Sequence, residues 1–99
     1  MSYEQLQTED RRLVILRGLA AAVQYRANAY LLRSFCDLVG HTTSADRLAA
    51  DLAWLAEGGL LSIAQPSPDV LVATLTNRGL DVAEGRASHP GVKRPAPGV

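Results

Sequence analysis

The stretch "LAWLAEGGLLSIAQPSPDVLVATLTNRG", residues 52–79, constrains the fold of this chain more than any other. Leu52 and Leu55 continue a helical repeat that Gly58-Gly59 stops. Leu60 to Gln65 and Val70 to Thr76 are short apolar runs that include β-branched residues, the composition of strands. Pro66-Ser67-Pro68-Asp69 lies between them, and its Pro and Asp favour turn dihedrals. Two such runs joined by a turn predict a hairpin. Thr76 then ends the second strand and caps a last helix, from Asn77 to about Ala87, with Leu80 and Ala83 on its apolar face. Gly59 lets the chain leave the preceding helix sharply, and Leu60 drops into the core to begin the hairpin.

The residues before this stretch predict three helices. Ser2 and Gln5 fit a capping box, so a helix should run from there to about Ala22. Leu6, Leu13, Leu16, Leu19 and Ala20 recur on it at helical spacing. Gln24 to Asn28 reads as a connection. Asn28 is a good N-cap for a helix through Leu31, Leu32, Phe35, Cys36 and Val39, which Gly40 ends. After the turn His41-Thr42-Thr43, Ser44 or Thr43 caps a third helix to about Glu57. Its Leu48, Leu52 and Leu55 share one face and should point at the core. Asp46, Arg47, Ala50, Ala53, Trp54 and Glu57 fall on the other side. Three helices, a hairpin and a helix form the order of a winged helix-turn-helix (α-α-α-β-β-α), mainly α with one β-hairpin, over residues 1–87. From Ser88 the chain reads "SHPGVKRPAPGV"; its prolines and glycines preclude regular structure, so residues 88–99 are expected to form a mobile basic tail.

Ninety-nine residues make one domain that buries only part of its surface, so a homodimer is expected. Helix one should form part of its interface, and Leu6, Leu13 and Trp54 are the candidate interface residues, Trp54 as an anchor for a protein partner. Acidic and basic residues cancel at ten each, so no strong positive charge advertises nucleic acid. Cys36 sits in a periodic apolar segment and reads as a buried thiol. His41 and His89 are far apart and lack cysteine partners, so neither metal nor cofactor is expected. Asp46 and Asp51, five apart, are poorly placed as a carboxylate pair, and no nucleophile constellation or phosphate-cradling loop is present; the chain is not expected to be an enzyme. The acidic, amphipathic N-terminus is unlike a signal peptide, and no apolar run reaches membrane length, so a cytoplasmic location is expected.

Three stretches carry a closer resemblance: "EDRRLVILRGL", "DLAWLAEGGLL" and "ATLTNRGLDVAEGRASHPGVKRPAPG". Together they resemble a family of small winged-helix proteins of Mu-like phages and prophages, over nearly the whole chain. Members are often labelled regulators of the arsenical-repressor type. The resemblance implies the winged-helix fold and a phage-related role. The paired-cysteine motif of arsenical repressors is absent, so metal sensing does not carry over.

For double-stranded DNA as partner, the third helix would enter the major groove. Arg47 would read guanine, with Ala50 beside it. Thr42, Thr43 and Ser44 would bond phosphate, Arg33 and Arg78 would flank them, and Lys93 and Arg94 would act as a basic arm. Against this, the third helix carries Asp46, Asp51 and Glu57 against Arg47 alone, and the hairpin tip has no cation. The alternative is a protein-interaction module, a phage accessory or assembly protein, using an acidic third-helix face, the tail and an exposed Trp54 as anchor. Packing of Trp54 under the hairpin or against helix one is its default structural role. Arg11, Arg12 and Arg17 are expected on a solvated face, paired with Glu4, Glu9 and Asp10.

Overall fold

The computed structural model describes residues 1–96. Its elements are α1 (Tyr3–Ala21), a 3₁₀ turn (Val23–Tyr25), β1 (Arg26–Asn28), α2 (Ala29–Leu38), α3 (Ala45–Glu57), β2 (Leu61–Ser67), β3 (Val70–Leu75) and α4 (Asn77–Ala83). The helix starts follow the local capping chemistry. Ser2 Oγ accepts from the Gln5 amide at 3.1 Å, and Gln5 Oε1 accepts from the Ser2 amide at 3.0 Å. Asn28 caps α2 and Ser44 caps α3 in the same manner, each accepting from the amide three residues on. Ile15, Leu16 and Leu19 of α1 meet Leu32 of α2 and Leu48, Leu52 and Leu55 of α3 in the core, with Leu60 and Ala73 closing it from the sheet side. Cys36 lies in the same core, and burial pushes its thiol up to about 11.

The sheet has three antiparallel strands in the order β1-β3-β2, one more than the expected hairpin. Arg26, Ala27 and Asn28 pair with Thr74, Ala73 and Val72. This strand was expected as a connection. It is three residues of weak strand propensity, and the free edge of β3 rather than its own sequence makes it extended. Gln24 and Tyr25, both at φ +57°, turn the chain into it. In the hairpin, β2 continues to Ser67, because Pro66 is accommodated in an irregularity between Ala64 and Ser67. The turn shrinks accordingly to Pro68-Asp69. At the other end α4 stops at Ala83, short of the expected Ala87, as Gly85 takes φ +83°.

Thr76 joins two corners. Its Oγ1 accepts from the Gly79 amide at 3.0 Å and donates to the Gly59 carbonyl at 2.7 Å. Thr76→Ala should cost about 1–2 kcal/mol, more than an exposed cap alone, because the Gly59 carbonyl loses its donor too. Urea denaturation beside Ser44→Ala, a cap with no such second bond, checks the difference.

The mobile tail expected from Ser88 onward is corrected over residues 89–93. Val92 is buried, its neighbour Lys93 donates its amide to the Glu9 carbonyl at 3.2 Å, and Arg12 Nη1 donates to the Gly91 carbonyl at 2.9 Å. The segment is a strap across α1. Proline and glycine exclude helix and strand, but they do not exclude docking of an irregular segment. Residues 97–99 of the predicted tail lie outside the described residues. Among the described residues, no helix is long and apolar enough to cross a membrane.

Candidate nucleic-acid interface

The outward face of α3 presents Asp46, Arg47, Ala50, Ala53 and Glu57 to solvent. Asp51, expected among them, is buried. Its Oδ2 accepts from Arg11 Nε and its Oδ1, at 3.3 Å, from Arg11 Nη2, and Arg12 Nε stands 3.9 Å from the same Oδ1. The free face of α3 therefore carries two carboxylates rather than three. Arg11 and Arg12 are corrected with it: instead of pairing along α1 with Glu4 and Glu9, they turn inward. The crossing of α1 over α3 brings residues 11 and 51 together, a pairing that helical spacing within one element cannot reveal. A carboxylate and a guanidinium this deeply buried must pair, because either alone would be far more costly.

Trp54 is half-buried and takes its default structural role, against helix one. The Arg12 guanidinium lies 3.7 Å over its ring, and His89 of the strap meets it edge-on at 5.6 Å. Gly91 passes so close that a Cβ there would stand 2.7 Å from the indole. Burial holds the Arg12 guanidinium below its ordinary value, with Asp51 acting in the opposite sense. Trp54 is thus no exposed anchor. Of the two other interface candidates, Leu13 belongs to the core, whereas Leu6 remains half-exposed.

Asp10 ties the strap to the turn between α2 and α3. His41 Nε2 lies 2.6 Å from its Oδ2, and Lys93 Nζ donates to its Oδ1 at 3.3 Å. Burial raises the Asp10 carboxyl, but the bonds from His41 and Lys93 outweigh that and leave it below its ordinary value. A carboxyl whose folded pKa is depressed stabilises the fold above its unfolded value, near about 4, and that stability is lost as pH falls through the folded pKa. Asp10→Asn should therefore lower stability at neutral pH and flatten the acid limb of a stability-against-pH curve measured by urea denaturation. Parallel acid limbs for the two proteins would contradict this. Lys93 is consequently not a free arm, although Arg94 beyond it is exposed.

The remaining basic candidates surround the N-terminus of α3. Arg33 donates Nε to the Thr43 carbonyl at 2.8 Å, tying α2 to the residue that precedes the cap. Thr43 itself is buried, which removes its hydroxyl as a ready phosphate contact; Thr42 is exposed, with Oγ1 3.4 Å from Asp37. Arg33 lines a groove of about 380 Å³ between α2, α3 and the hairpin, together with Asp46, Gln65 and Asp69. Tyr30 closes one end, donating its hydroxyl to the Asp69 carbonyl at 3.0 Å. Arg47 lies on the far side of α3, in a hollow shared with Glu4, Gln7 and Thr8 of α1. Arg33 and Arg47 thus flank the start of α3 on opposite sides. Ala50 is exposed on α3, and Arg78 is exposed in the first turn of α4, on a separate element. Neither the Arg33–Thr43 tie nor the Tyr30–Asp69 contact has a sequence signal. Among the described residues, no three His, Cys, Asp or Glu side chains cluster as metal ligands.

No family model matches the chain. Protein gp26 of Escherichia phage Mu is 48% identical over 90 residues, 91% of this chain and 92% of that protein. The chain belongs to the gp26 family. An uncharacterized protein of Haemophilus influenzae is 38% identical over 97 residues, covering 98% of this chain and 94% of its own length. Among solved structures, H. salinarum RosR superposes with a TM-score of 0.64 at 21% identity, over 75% of this chain and 66% of that one. The complex structure of hsRosR-S1 gives 0.60 at 22% identity, over 71% and 61%. The chain spans less than two thirds of the RosR chain in the complex structure. At this identity the likeness is one of fold, and the gp26-family chain has the winged helix-turn-helix fold.

Proposed function

We propose that this protein binds duplex DNA as a dimer and regulates transcription for a Mu-like phage, with α3 as the reading helix. The observation that supports this best is the outward face of α3: it is free of the chain's own packing, small at Ala50 and Ala53, and flanked at its start by Arg33 and Arg47. Alanines let the helix backbone approach base edges and touch thymine methyls, and an arginine at the first turn reaches guanine O6 and N7. Arg33 and the exposed Thr42 hydroxyl are the phosphate contacts at this end. Ser44 adds its hydroxyl proton, since its oxygen accepts the Arg47 amide while the O–H remains available. Arg78 and Arg94 are the outlying phosphate contacts.

Among the described residues, four of the ten Lys and Arg side chains pair with carboxylates: Arg11, Arg12, Arg86 and Lys93. One copy therefore makes few phosphate contacts, and two copies are needed for useful affinity. The second reading is a phage protein as ligand, favoured by Asp46 and Asp69 on the same groove as Arg33. Fluorescence anisotropy on a labelled fragment of the gene's own upstream DNA separates them. Arg47→Ala should weaken binding about 10- to 100-fold. Arg86→Ala, which removes an exposed pair with Asp81 and Glu84, should leave it unchanged. Equal affinity for wild type and Arg47→Ala would remove α3 as the reading helix.

A further inference from the structure

The strap reaches both ends of α3. At the far end His89 meets Trp54 edge-on, and Gly91 lies against the same ring. Gly58, the residue that closes α3, leaves room for His89, whose Nε2 would stand 3.0 Å from a Cβ added there. At the near end the link runs through one carboxylate. Asp10 holds Lys93 of the strap by Oδ1 and His41 by Oδ2, and His41 lies three residues ahead of the Ser44 cap. On its other side the same turn is held to α2 by the Arg33 bond to the Thr43 carbonyl. Docking of the strap is finely balanced. Burial of Val92, the Lys93 amide bond to the Glu9 carbonyl and the Arg12 bond to the Gly91 carbonyl favour it. Against them, two buried nitrogens at the seat, Arg12 Nε and His89 Nδ1, have no hydrogen-bond partner among the described residues. A short terminal segment with few bonds to break opens at low cost relative to the core.

We infer that the strap is a releasable clamp on α3. Docked, it holds α3 and the turn before it in the arrangement that DNA binding requires; released, it lets them move. Asp10 is the positioning residue that couples strap to turn, and it touches no DNA itself. The inference rests on α3 as the DNA-reading helix and adds regulation to that site. Because such coupling is reciprocal, bound DNA in turn favours the docked strap.

Trp54 is the chain's one tryptophan, so its emission reports the strap directly. Circular dichroism verifies the fold of each full-length variant. Gly91→Ala, whose Cβ would stand 2.7 Å from the indole, should lift the strap and move the emission to longer wavelength. Made in an Arg94→Ala parent, which removes the free charge beyond the strap, it should still weaken binding to the gene's own upstream DNA about fivefold or more. Asp10→Ala should weaken that binding too, although it removes a negative charge. His41→Ala leaves the strap's own residues intact, yet it should move the Trp54 emission in the same direction, and in an Asp10→Ala background it should move it no further. Emission unmoved by His41→Ala, or moved equally with and without Asp10, overturns the coupling whether or not DNA is bound. Emission that responds as stated, beside DNA affinity indifferent to Gly91→Ala, overturns the clamp while leaving α3 as the reading helix. A wild type that binds no DNA overturns the reading on which the clamp rests, and the emission series still decides whether strap and turn are coupled.

Discussion

Asp51→Ala should lower the unfolding free energy by about 3–5 kcal/mol, because it leaves the Arg11 guanidinium buried without its counter-charge. Both side chains of this pair are 7% exposed, so water cannot take the place of the lost carboxylate. The loss is large beside the roughly 5–15 kcal/mol that holds a domain together. It should lower Tm by at least roughly 12 °C, as read by circular dichroism. The effect belongs to the unpaired charge rather than to the value of the pair. The double variant Arg11→Met, Asp51→Leu should therefore recover most of the stability, since buried ion pairs seldom outperform well-packed apolar residues. Asp51→Ala within about 1 kcal/mol of wild type would show that the pair is not buried in solution.

Gly79→Ala should be the most damaging glycine-to-alanine change among the described residues. A Cβ at residue 79 would stand 1.9 Å from the Leu60 carbonyl oxygen and 2.7 Å from Leu75 Cδ1. The first is backbone at the corner where α3 passes into the hairpin, so it cannot swing aside. Either the corner opens, breaking the Thr76 amide bond to the same Leu60 carbonyl at 3.1 Å, or α4 shifts from its cap. The expected cost is about 3 kcal/mol or more. Gly40→Ala is the control: it has φ +96° but nothing within 4 Å of an added Cβ, so only backbone strain of about 1–2 kcal/mol applies. Urea denaturation of the two variants side by side gives the ranking, and a milder Gly79→Ala would contradict the packing described here.

These two sites also show what the sequence could and could not convey. The Thr76 cap is a local event, a cap residue and a helix start within four residues, and leaves a readable pattern, whereas the approach of Gly79 to the Leu60 carbonyl spans nineteen residues and leaves none. The caps at Ser2, Asn28 and Ser44, which act three residues away, are readable in the same way as Thr76. Arg11 and Asp51 are forty residues apart, and their identities suit a solvated helix face as well as a buried pair. Only the crossing of α1 over α3 decides between those. β1 is illegible for a similar reason, since Arg26-Ala27-Asn28 becomes a strand only through β3. The strap is the third case. Proline and glycine in "SHPGVKRPAPGV" report the absence of regular structure, whereas its docking depends on Trp54, Arg12 and Asp10, which lie far upstream. At the candidate site, the exposed Arg47 and Ala50 on α3 were legible from the helical wheel. The removal of Asp51 from that face and the anchoring of Lys93 were not, and both change its charge.

The most direct measurement is the salt dependence of wild-type binding to a labelled fragment of the gene's own upstream DNA, followed by anisotropy. With Arg33, Arg78 and Arg94 from each of two copies as the charged phosphate contacts, log K against log salt should fall with a slope of about −5. Measurable binding at low salt with a slope near that value is the predicted result. No binding at low salt, or binding indifferent to salt, would contradict a DNA-reading winged helix.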